Sequence, residues 1–372
     1  MKIICEKEKI LKSINSVVKS VSTKTTMPIL EGILIQTNDK ELKLTTYDLE
    51  LGIECIMEAT IEEEGSTVVN AIMFSEIIRK LPNTEISLTL NESNLLEIEC
   101  EGSLYKLATM NPHEFPELPK INVDNSIEIE QSMLKNMIRK TIFAVSTEEN
   151  RPIFTGCLFE ITNNKLNVVA IDGFRLAWKS NFLANKANDF SAVIPGKTLN
   201  ELNKIITESF DTIKIGVSKN QALFEMENCK VVTRLLDGEF LNYSSILPEN
   251  WETRIRANKS ILQGCFERVS LISSSAAEKE KKYPVKVLVD IGKLTISCTN
   301  QTGAAKEEMY LSTEGKNVEI GFNPKYFLDA LKVIDDEEVF IDFGTNISPC
   351  IIRPVEGNEY IYMILPIRLK ED

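Results

Sequence analysis

A threefold internal repeat is the feature that most limits how this 372-residue chain can fold. Segments with the apolar spacing of an amphipathic helix occur at 8–20, 132–145 and 258–272. A second helix, followed directly by a strand of alternating polarity, begins near Phe74, Leu199 and Phe327. Both landmarks recur with a period of about 125 residues, which indicates three copies of one structural unit. Amphipathic segments resemble one another by chance, but chance does not explain several landmarks that keep one period.

The stretches between these helices are predicted to be strands. Runs of alternating apolar and polar residues occur at 29–37 and 41–54, and matching runs follow the first helix of the second copy. Asp48 and Asp172 occupy equivalent turns in the two copies. Such runs predict antiparallel strands, and two helices per copy predict an α+β domain with its helices on one face of the sheet. We therefore predict three similar domains at 1–122, 123–250 and 251–372.

The distribution of charge sets the helices apart from the rest of the chain. A formal net charge of −13 argues at first against a nucleic-acid partner, because nonspecific DNA binding depends on neutralising phosphates. In the six predicted helices, however, Lys and Arg outnumber Asp and Glu by 14 to 5, so the strands and loops are strongly acidic. Ordinary solvated helix faces mix both signs. An excess of cations in every helix favours one shared basic surface.

Helix geometry indicates what such a surface could enclose. Six helices at an interaxial spacing of about 9 to 10 Å form a ring without a usable hole. Twelve helices, from two chains, form a ring about 36 Å across its centre line. Subtracting one helix width of about 10 Å leaves a hole of roughly 26 Å, which admits a DNA duplex with some water. The sequence therefore predicts a head-to-tail dimer with its helices inside and its sheets outside.

Other features argue against several classes of protein. The first residues lack the apolar segment of a secretory signal, and no apolar run approaches the ~20 residues of a membrane helix, so we expect a cytoplasmic protein without membrane contact. His113 is the only histidine, which argues against zinc sites and histidine catalysis, and we expect no metal or cofactor. We expect buried, reduced thiols at the scattered cysteines, which are Cys5, Cys55, Cys100, Cys157, Cys229, Cys265, Cys298 and Cys350.

Five collinear segments of the chain are characteristic: MPILEGILI at 27–35, EENRPIFTGCLFE at 148–160, VVAIDGFRLAW at 168–178, VVTRLLDGEFLNYSSILPEN at 231–250 and MILPIRL at 363–369. These segments resemble those of the bacterial DNA polymerase III beta subunits, the beta sliding clamps. The resemblance covers the entire chain and implies a non-enzymatic processivity factor, a homodimeric ring that encircles duplex DNA without reading its sequence. As partners it implies the DNA polymerase III catalytic subunit, the clamp loader and other proteins that carry a clamp-binding peptide.

The resemblance also implies a pocket between the second and third domains that receives a short peptide, roughly Gln-Leu-x-Leu-Phe. Its first part would be Ile171, Gly173, Phe174, Arg175, Leu176, Leu241, Ile246, Met363, Ile364 and Leu365. Its second part would be Arg151, Phe154, Asn323, Tyr326, Pro366, Ile367 and Arg368. Adjacent apolar residues at a domain junction suit the Leu and Phe anchors of a peptide. Leu241, Ser245 and Phe174 depart from the usual family residues, so we expect a peptide preference that differs in detail.

For DNA, the resemblance implies a contact at Lys24, while Glu148 replaces a polar residue beside another implied contact. The predicted lining of helical cations is Lys12, Lys19, Arg79, Lys80, Lys135, Arg139, Lys140, Lys197, Lys204, Lys259, Arg268 and Lys332. Such a lining contacts phosphates and not bases, so binding should be weak, sequence-independent and sensitive to salt. For the dimer interface, the resemblance implies Tyr105 and Leu107 of one chain against Leu271 and Ile272 of the other.

Two alternatives remain at this point. Asp172, Arg175 and the many carboxylates could supply a metal-dependent enzyme acting on nucleic acid, although the acidic residues lie singly on alternating strands. A clamp paralogue that serves repair or drug tolerance would carry the same sequence features as a main replicative clamp.

Overall fold

The computed structural model describes residues 1–22, 25–148, 150–274 and 284–369. Lys24, one of the predicted DNA contacts, lies outside the described residues. Contacts within the chain group it into two compact units. The first comprises Met1–Lys135 and Lys197–Leu235, and the second comprises Asn136–Gly196 and Leu236–Asp372. The boundaries at 122/123 and 250/251 remain predictions, because these units follow the packing of sheets and not the sequence repeat.

The described residues form six α-helices at the places where the apolar spacing predicts them. They are α1 Lys7–Val17, α2 Ala71–Lys80, α3 Gln131–Arg139, α4 Gly196–Ile205, α5 Lys259–Ser274 and α6 Pro324–Val333. Helix α2 begins where the Asn70 side chain accepts a hydrogen bond from the backbone N–H of Met73. Helix α6 begins in the same way at Asn323, with Pro324 in its first turn. None of the described helices could span a membrane.

The strands fall into three sets in chain order, as the repeat predicts. The first set is β1 Lys2–Glu6, β2 Gly32–Asn38, β3 Glu41–Tyr47, β4 Leu51–Glu58, β5 Thr60–Glu63, β6 Ser66–Asn70, β7 Glu85–Leu90, β8 Leu95–Cys100 and β9 Ser103–Met110. The second is β10 Asn125–Glu130, β11 Gly156–Thr162, β12 Lys165–Ile171, β13 Arg175–Phe182, β14 Phe190–Pro195, β15 Thr212–Val217, β16 Gln221–Glu225 and β17 Cys229–Arg234. The third is β18 Thr253–Asn258, β19 Val285–Asp290, β20 Lys293–Asn300, β21 Gly303–Tyr310, β22 Ser312–Gly315, β23 Val318–Phe322, β24 Glu338–Phe343, β25 Cys350–Pro354 and β26 Tyr360–Ile364.

The described part of the first unit contains one antiparallel sheet in the order β10-β15-β16-β17-β4-β3-β2-β6-β9-β8-β7-β1-β5. Helix α1 packs on β3 and β4 and buries Ile10, Ile14 and Val17, which recur at helical spacing. The pairing of β17 with β4 joins strands from the second and first sequence repeats. The sheet therefore runs without a break across a predicted domain boundary.

The same pairing corrects the expectation that every cysteine carries a reduced thiol. Cys55 on β4 lies directly opposite Cys229 on β17, and the two residues form a disulfide with their Cα atoms 4.2 Å apart. The backbone N–H of Ile56 donates to the Asn228 carbonyl one position away, and that of Arg234 donates to the Glu50 carbonyl five positions away. Since hydrogen-bonded and non-hydrogen-bonded pairs alternate, Cys55 and Cys229 form a non-hydrogen-bonded pair. Side chains approach most closely at such pairs. The free cysteines that the structure describes are all buried.

The second unit contains two antiparallel sheets among its described residues. One has the order β14-β11-β12-β13-β26-β25-β24-β18-β22, and the other has the order β21-β20-β19-β23. In the larger sheet, β13 from the second repeat pairs with β26 from the third, with Arg175 opposite Ile364 and Leu176 opposite Met363. Helices α5 and α6 pack against each other, and the rings of Phe266 and Phe327 stack between them. The β13–β26 pairing brings together predicted pocket residues from the second and third repeats.

Candidate peptide-binding site

An apolar cluster in the second unit forms the floor of the predicted pocket. Its buried members come from the larger sheet and are Leu158, Val169, Ile171, Leu176, Val193, Ile351 and Met363. Partly buried side chains pack around this floor, among them Phe154, Phe240, Tyr243 and Ile246. Phe154 lies edge-on to Phe240 with ring centroids 5.9 Å apart. The strand pairing thus brings together apolar residues that lie far apart in the sequence.

The turn between β12 and β13 shapes one side of the pocket. Asp172 accepts hydrogen bonds through Oδ1 from the backbone N–H groups of Phe174, at 2.9 Å, and Arg175, at 3.0 Å. Gly173 occupies the left-handed region with φ +91°, a conformation that favours glycine. The resulting tight turn leaves the Phe174 side chain 58% exposed.

The C-terminal segment and the start of α6 lie beside this turn. The backbone N–H of Leu365 donates to the Phe174 carbonyl at 2.9 Å, and that of Ile367 donates to the Gly321 carbonyl at 2.7 Å. Tyr326, in the first turn of α6, stacks on Phe174 with ring centroids 6.4 Å apart. Burial, followed by the nearby Asp172 carboxylate, raises the pKa of Tyr326, so its hydroxyl stays protonated at neutral pH.

The structure divides the predicted pocket residues into a floor and a rim. Ile171, Leu176, Met363 and Ile364 are buried, and their side chains support the pocket from below. Side chains with exposed surface are those of Arg151, Phe174, Leu241, Ile367 and Arg368, while Phe154, Ile246, Tyr326, Leu365 and Pro366 are half-buried. Asn323 is buried, and its side chain caps α6 through the backbone N–H of Lys325.

Arg175 does not face the pocket as a free cation, although it is among the predicted pocket residues. It is 8% exposed and donates from Nε to Asp172 Oδ2 at 2.9 Å, from Nη1 to Asp329 Oδ2 at 2.6 Å and from Nη2 to the Phe143 carbonyl at 2.6 Å. Its guanidinium also lies 4.7 Å from the ring centroid of Tyr326. Sequence reasoning missed Asp329, Phe143 and Phe240, because no local motif marks a residue whose role comes from a distant neighbour.

The predicted DNA-facing cations differ in exposure, and several of them are paired with carboxylates, so fewer of their charges are free than the sequence count suggests. Lys12, Lys80 and Lys332 are exposed and form no ion pair within the described residues. Lys19 and Lys259 are half-buried. Lys135 donates to the carbonyl of Ile206 at 2.9 Å. The ion pairs among the others are Arg79 with Glu76, Arg139 with Asp335, Lys197 with Asp48, Lys204 with Glu201 and Arg268 with Glu307.

Lys140 corrects the prediction of a uniformly exposed lining. Its side chain is 7% exposed, lies 3.0 Å from Asp335 and is 5.3 Å from the ring centroid of Tyr360. Burial raises the pKa of Asp335, but hydrogen bonds from Arg139 and Lys140 outweigh burial and hold that pKa below its ordinary value. Lys140 follows the last residue of α3 and points inward, so the helical spacing that places Arg139 outside does not extend to it.

Models of three domains of one family match this chain end to end. The N-terminal, central and C-terminal domains of the DNA polymerase III beta subunit match residues 1–119, 128–242 and 244–368. The chain belongs to the DNA polymerase III beta subunit family, the bacterial sliding clamps. Within the described residues, no group of three or more His, Cys, Asp or Glu side chains is placed to hold a metal ion.

Individual clamps resemble the chain over its whole length. A beta sliding clamp of Staphylococcus epidermidis is 34% identical over 378 residues, covering 99% of each chain. A solved DNA polymerase III beta subunit from Eubacterium rectale is 39% identical with a TM-score of 0.94, over 99% of this chain and 100% of that one. The solved sliding clamp of Bacillus subtilis is 33% identical with a TM-score of 0.95, over 100% of both chains. The three-domain clamp fold predicted from the repeat is confirmed.

Two strand edges in this clamp chain bear on the predicted dimer interface. In the first unit, β9 pairs with β8 along its length but with β6 only at Thr109 and Met110, so 103–108 have an open edge within the described residues. In the second unit, β21 forms the edge of the four-stranded sheet. Tyr105 on β9 and Leu271 on α5, which packs on β21, are exposed, and Ile272 is half-buried.

Leu107 is a second correction to the predicted residues. It is 7% exposed in its own unit, whereas Leu104 and Tyr105 on the same strand are exposed. Leu107 therefore supports the strand from inside and offers no surface to a second chain.

Proposed function

We propose that two copies of this clamp chain close head to tail into a ring that encircles duplex DNA and holds the replicative polymerase on it. The full-length likeness to sliding clamps carries this proposal. The partners proposed at the pocket are the catalytic subunit of DNA polymerase III, the clamp loader and other proteins with a clamp-binding peptide. The proposed site of action is the cytoplasm.

Open strand edges support the head-to-tail contact. An edge strand presents unpaired backbone N–H and C=O groups that favour pairing with another chain. Pairing of β9 from one copy with β21 from a second copy would satisfy both edges and bring Tyr105 and Leu271 to the contact. Such a contact joins different surfaces, and two copies close it into a ring when they are related by a twofold axis.

The helix surface supports a role without catalysis. Exposed Lys12, Lys80 and Lys332 can contact phosphates in any sequence, since phosphate contacts carry no base information. Many neighbouring cations form ion pairs with carboxylates, so binding to DNA through this surface alone should be weak. Retention on DNA would then depend on the closed ring and not on affinity. We propose that the chain is a non-catalytic accessory subunit.

Retention on circular DNA tests this proposal. Protein loaded on nicked circular DNA by the clamp loader of the same organism should remain through a wash in about 1 M salt. At that concentration the Debye length is about 3 Å, so contacts between lysines and phosphates are largely screened. Cutting the circle should release it. The matched control is Leu271→Asp, which places a charge at a side chain that is 68% exposed at the proposed interface.

The Leu271→Asp chain should be retained poorly on both forms of DNA and should have the mass of a monomer in solution. Equal loss of the unmodified chain from circular and linear DNA would refute topological retention. Turnover is measured on the same preparation, and with Mg²⁺ or Mn²⁺ present the protein should neither cut nor extend DNA. Cleavage that co-purifies with the chain would favour the enzymatic alternative.

A further inference from the structure

The side chain of Arg175 is enclosed on its edges and on its faces by its own chain. Its N–H groups are directed at Asp172, Asp329 and the Phe143 carbonyl at distances of 2.6 to 2.9 Å. Its Cζ atom lies 4.7 Å from the Tyr326 ring centroid and 5.4 Å from that of Phe143. A guanidinium binds a ligand carboxylate best through two parallel N–H bonds. Three of the five N–H groups of Arg175 bond to its own protein and the side chain is 8% exposed, so its role is to hold parts of the protein together.

Asp329 is the residue that links Arg175 to a different element. Asp172 lies in the same turn as Arg175 and already accepts two backbone N–H groups there. Asp329 lies on α6, 154 residues away in sequence, and is three residues after Tyr326. Residues three apart in a helix share one face. The bond from Arg175 to Asp329 therefore fastens the β12–β13 turn to the face of α6 that carries Tyr326.

This fastening determines how two rim side chains meet. Phe174 precedes Arg175 in the turn, and Tyr326 precedes Asp329 by one helical turn. Their rings lie 6.4 Å apart with an angle of 19° between their planes. Phe174 is largely exposed, and within the described residues Tyr326 is the one aromatic ring stacked on it. Without the ion pair, the turn would be held against α6 by this weak stacking, by the contact of the Arg175 guanidinium with the Tyr326 ring and by the backbone of the C-terminal segment.

We propose that Asp329 is a positioning residue for the peptide pocket, because its carboxylate orients Arg175 and so fixes the Phe174–Tyr326 wall against which a bound peptide packs. This inference rests on the proposed function, since it concerns the pocket that would bind partner peptides. Asp329 itself need not touch the peptide. Loss of its carboxylate leaves Arg175 paired with Asp172, so the fold should persist while the wall becomes mobile. Affinity for the peptide should then fall because the wall must be ordered during binding.

The test measures the binding of a fluorescein-labelled peptide that contains Gln-Leu-Asp-Leu-Phe, by fluorescence anisotropy. Asp329→Ala and Asp329→Asn should each weaken binding by about tenfold, a typical coupling between contacting residues. Asp329→Glu, which keeps the carboxylate, should stay within about threefold of the unmodified chain. The matched control is Asp336→Ala, which removes a carboxylate that accepts a 2.8 Å hydrogen bond from Tyr360 in the same unit. The control should leave the affinity unchanged.

A double-mutant cycle separates positioning from general loss of structure. In a Phe174→Ala background the wall is already incomplete, so Asp329→Ala should weaken binding by less than about threefold further. A factor that stays near tenfold in both backgrounds would show an effect that does not pass through the wall and would overturn the inference. If Asp329→Ala does not fold, as judged by thermal unfolding, the isosteric Asp329→Asn decides.

The inference and the proposed function fail in different ways. Tight binding of the peptide by the unmodified chain together with unchanged binding by folded Asp329→Asn would overturn the positioning role and leave the pocket standing. Failure of the unmodified chain to bind the peptide would refute the proposed pocket, and the positioning role would fall with it.

Discussion

The disulfide between Cys55 and Cys229 gives a prediction whose size follows from the chain. It joins two residues of the first unit and closes a loop with a sequence separation of 174 residues. In the chain-entropy model, cross-linking a loop of that length stabilises the folded state by about 5 kcal/mol at 25 °C. Removing the bond with Cys229→Ser should therefore lower the free energy of unfolding of the first unit by up to that amount. With a urea slope of about 3 kcal/mol/M, a loss of that full amount lowers the midpoint by about 1.7 M.

The assay is urea unfolding followed by circular dichroism, with and without dithiothreitol. The reductant should shift the unmodified chain toward the midpoint of Cys229→Ser and should leave that variant unchanged. Mass spectrometry after alkylation of the denatured chain should find six modified cysteines without reductant and eight with it, since six of the eight are free in the structure. Eight modified cysteines in protein purified without reductant and exposed to air would refute the bond. Equal midpoints with the bond formed would refute the entropic reasoning.

Two further predictions concern the pocket and the buried thiols. Ile367→Asp, at a rim side chain that is 38% exposed, should weaken peptide binding without changing the thermal midpoint. Met363→Ala, in the buried floor, should lower the free energy of unfolding by about 2 to 5 kcal/mol. A loss of stability in Ile367→Asp would place Ile367 in the core. Burial raises the pKa of the Cys5 and Cys157 thiols to about 12. The folded chain should therefore resist alkylation by iodoacetamide at these positions up to about pH 9, as measured by peptide mapping. Rapid labelling would mean that these sites open to solvent.

Elements that depend on local pattern could be predicted from the sequence. The apolar periodicity of the segments that begin near Phe74 and Phe327 predicts α2 and α6 to within a few residues. A helix needs only its own periodicity and a capping residue such as Asn323. The first helix differs at its end, where Val18–Ser20 form a 3-10 turn after α1. The period of the repeat then gives three domains without any knowledge of their contacts.

Features that depend on distant pairing could not be predicted in this way. Spacing along the chain gives no sign that Cys55 lies opposite Cys229, because that contact exists only once β4 and β17 pair. The partners of Arg175 follow the same rule, since Asp329 is reached through the packing of α6 and not through a motif. Most of the candidate pocket therefore came from the family resemblance, and the structure adds which of its side chains are floor and which are rim.

The ion pairs on the helices bear on how a ring could move along DNA. A count of cations suggests a strongly positive lining, but Arg79 and Lys204 pair with carboxylates on their own helices, and Arg268 pairs with a carboxylate on β21. Solvent screens exposed pairs of this kind, so a passing phosphate can compete with the carboxylate at little cost. Each phosphate contact would then be weak and quickly exchanged. A ring held by closure needs no stronger contact, and stronger ones would oppose sliding, so the acidic residues among the helices suit a tether better than a binder.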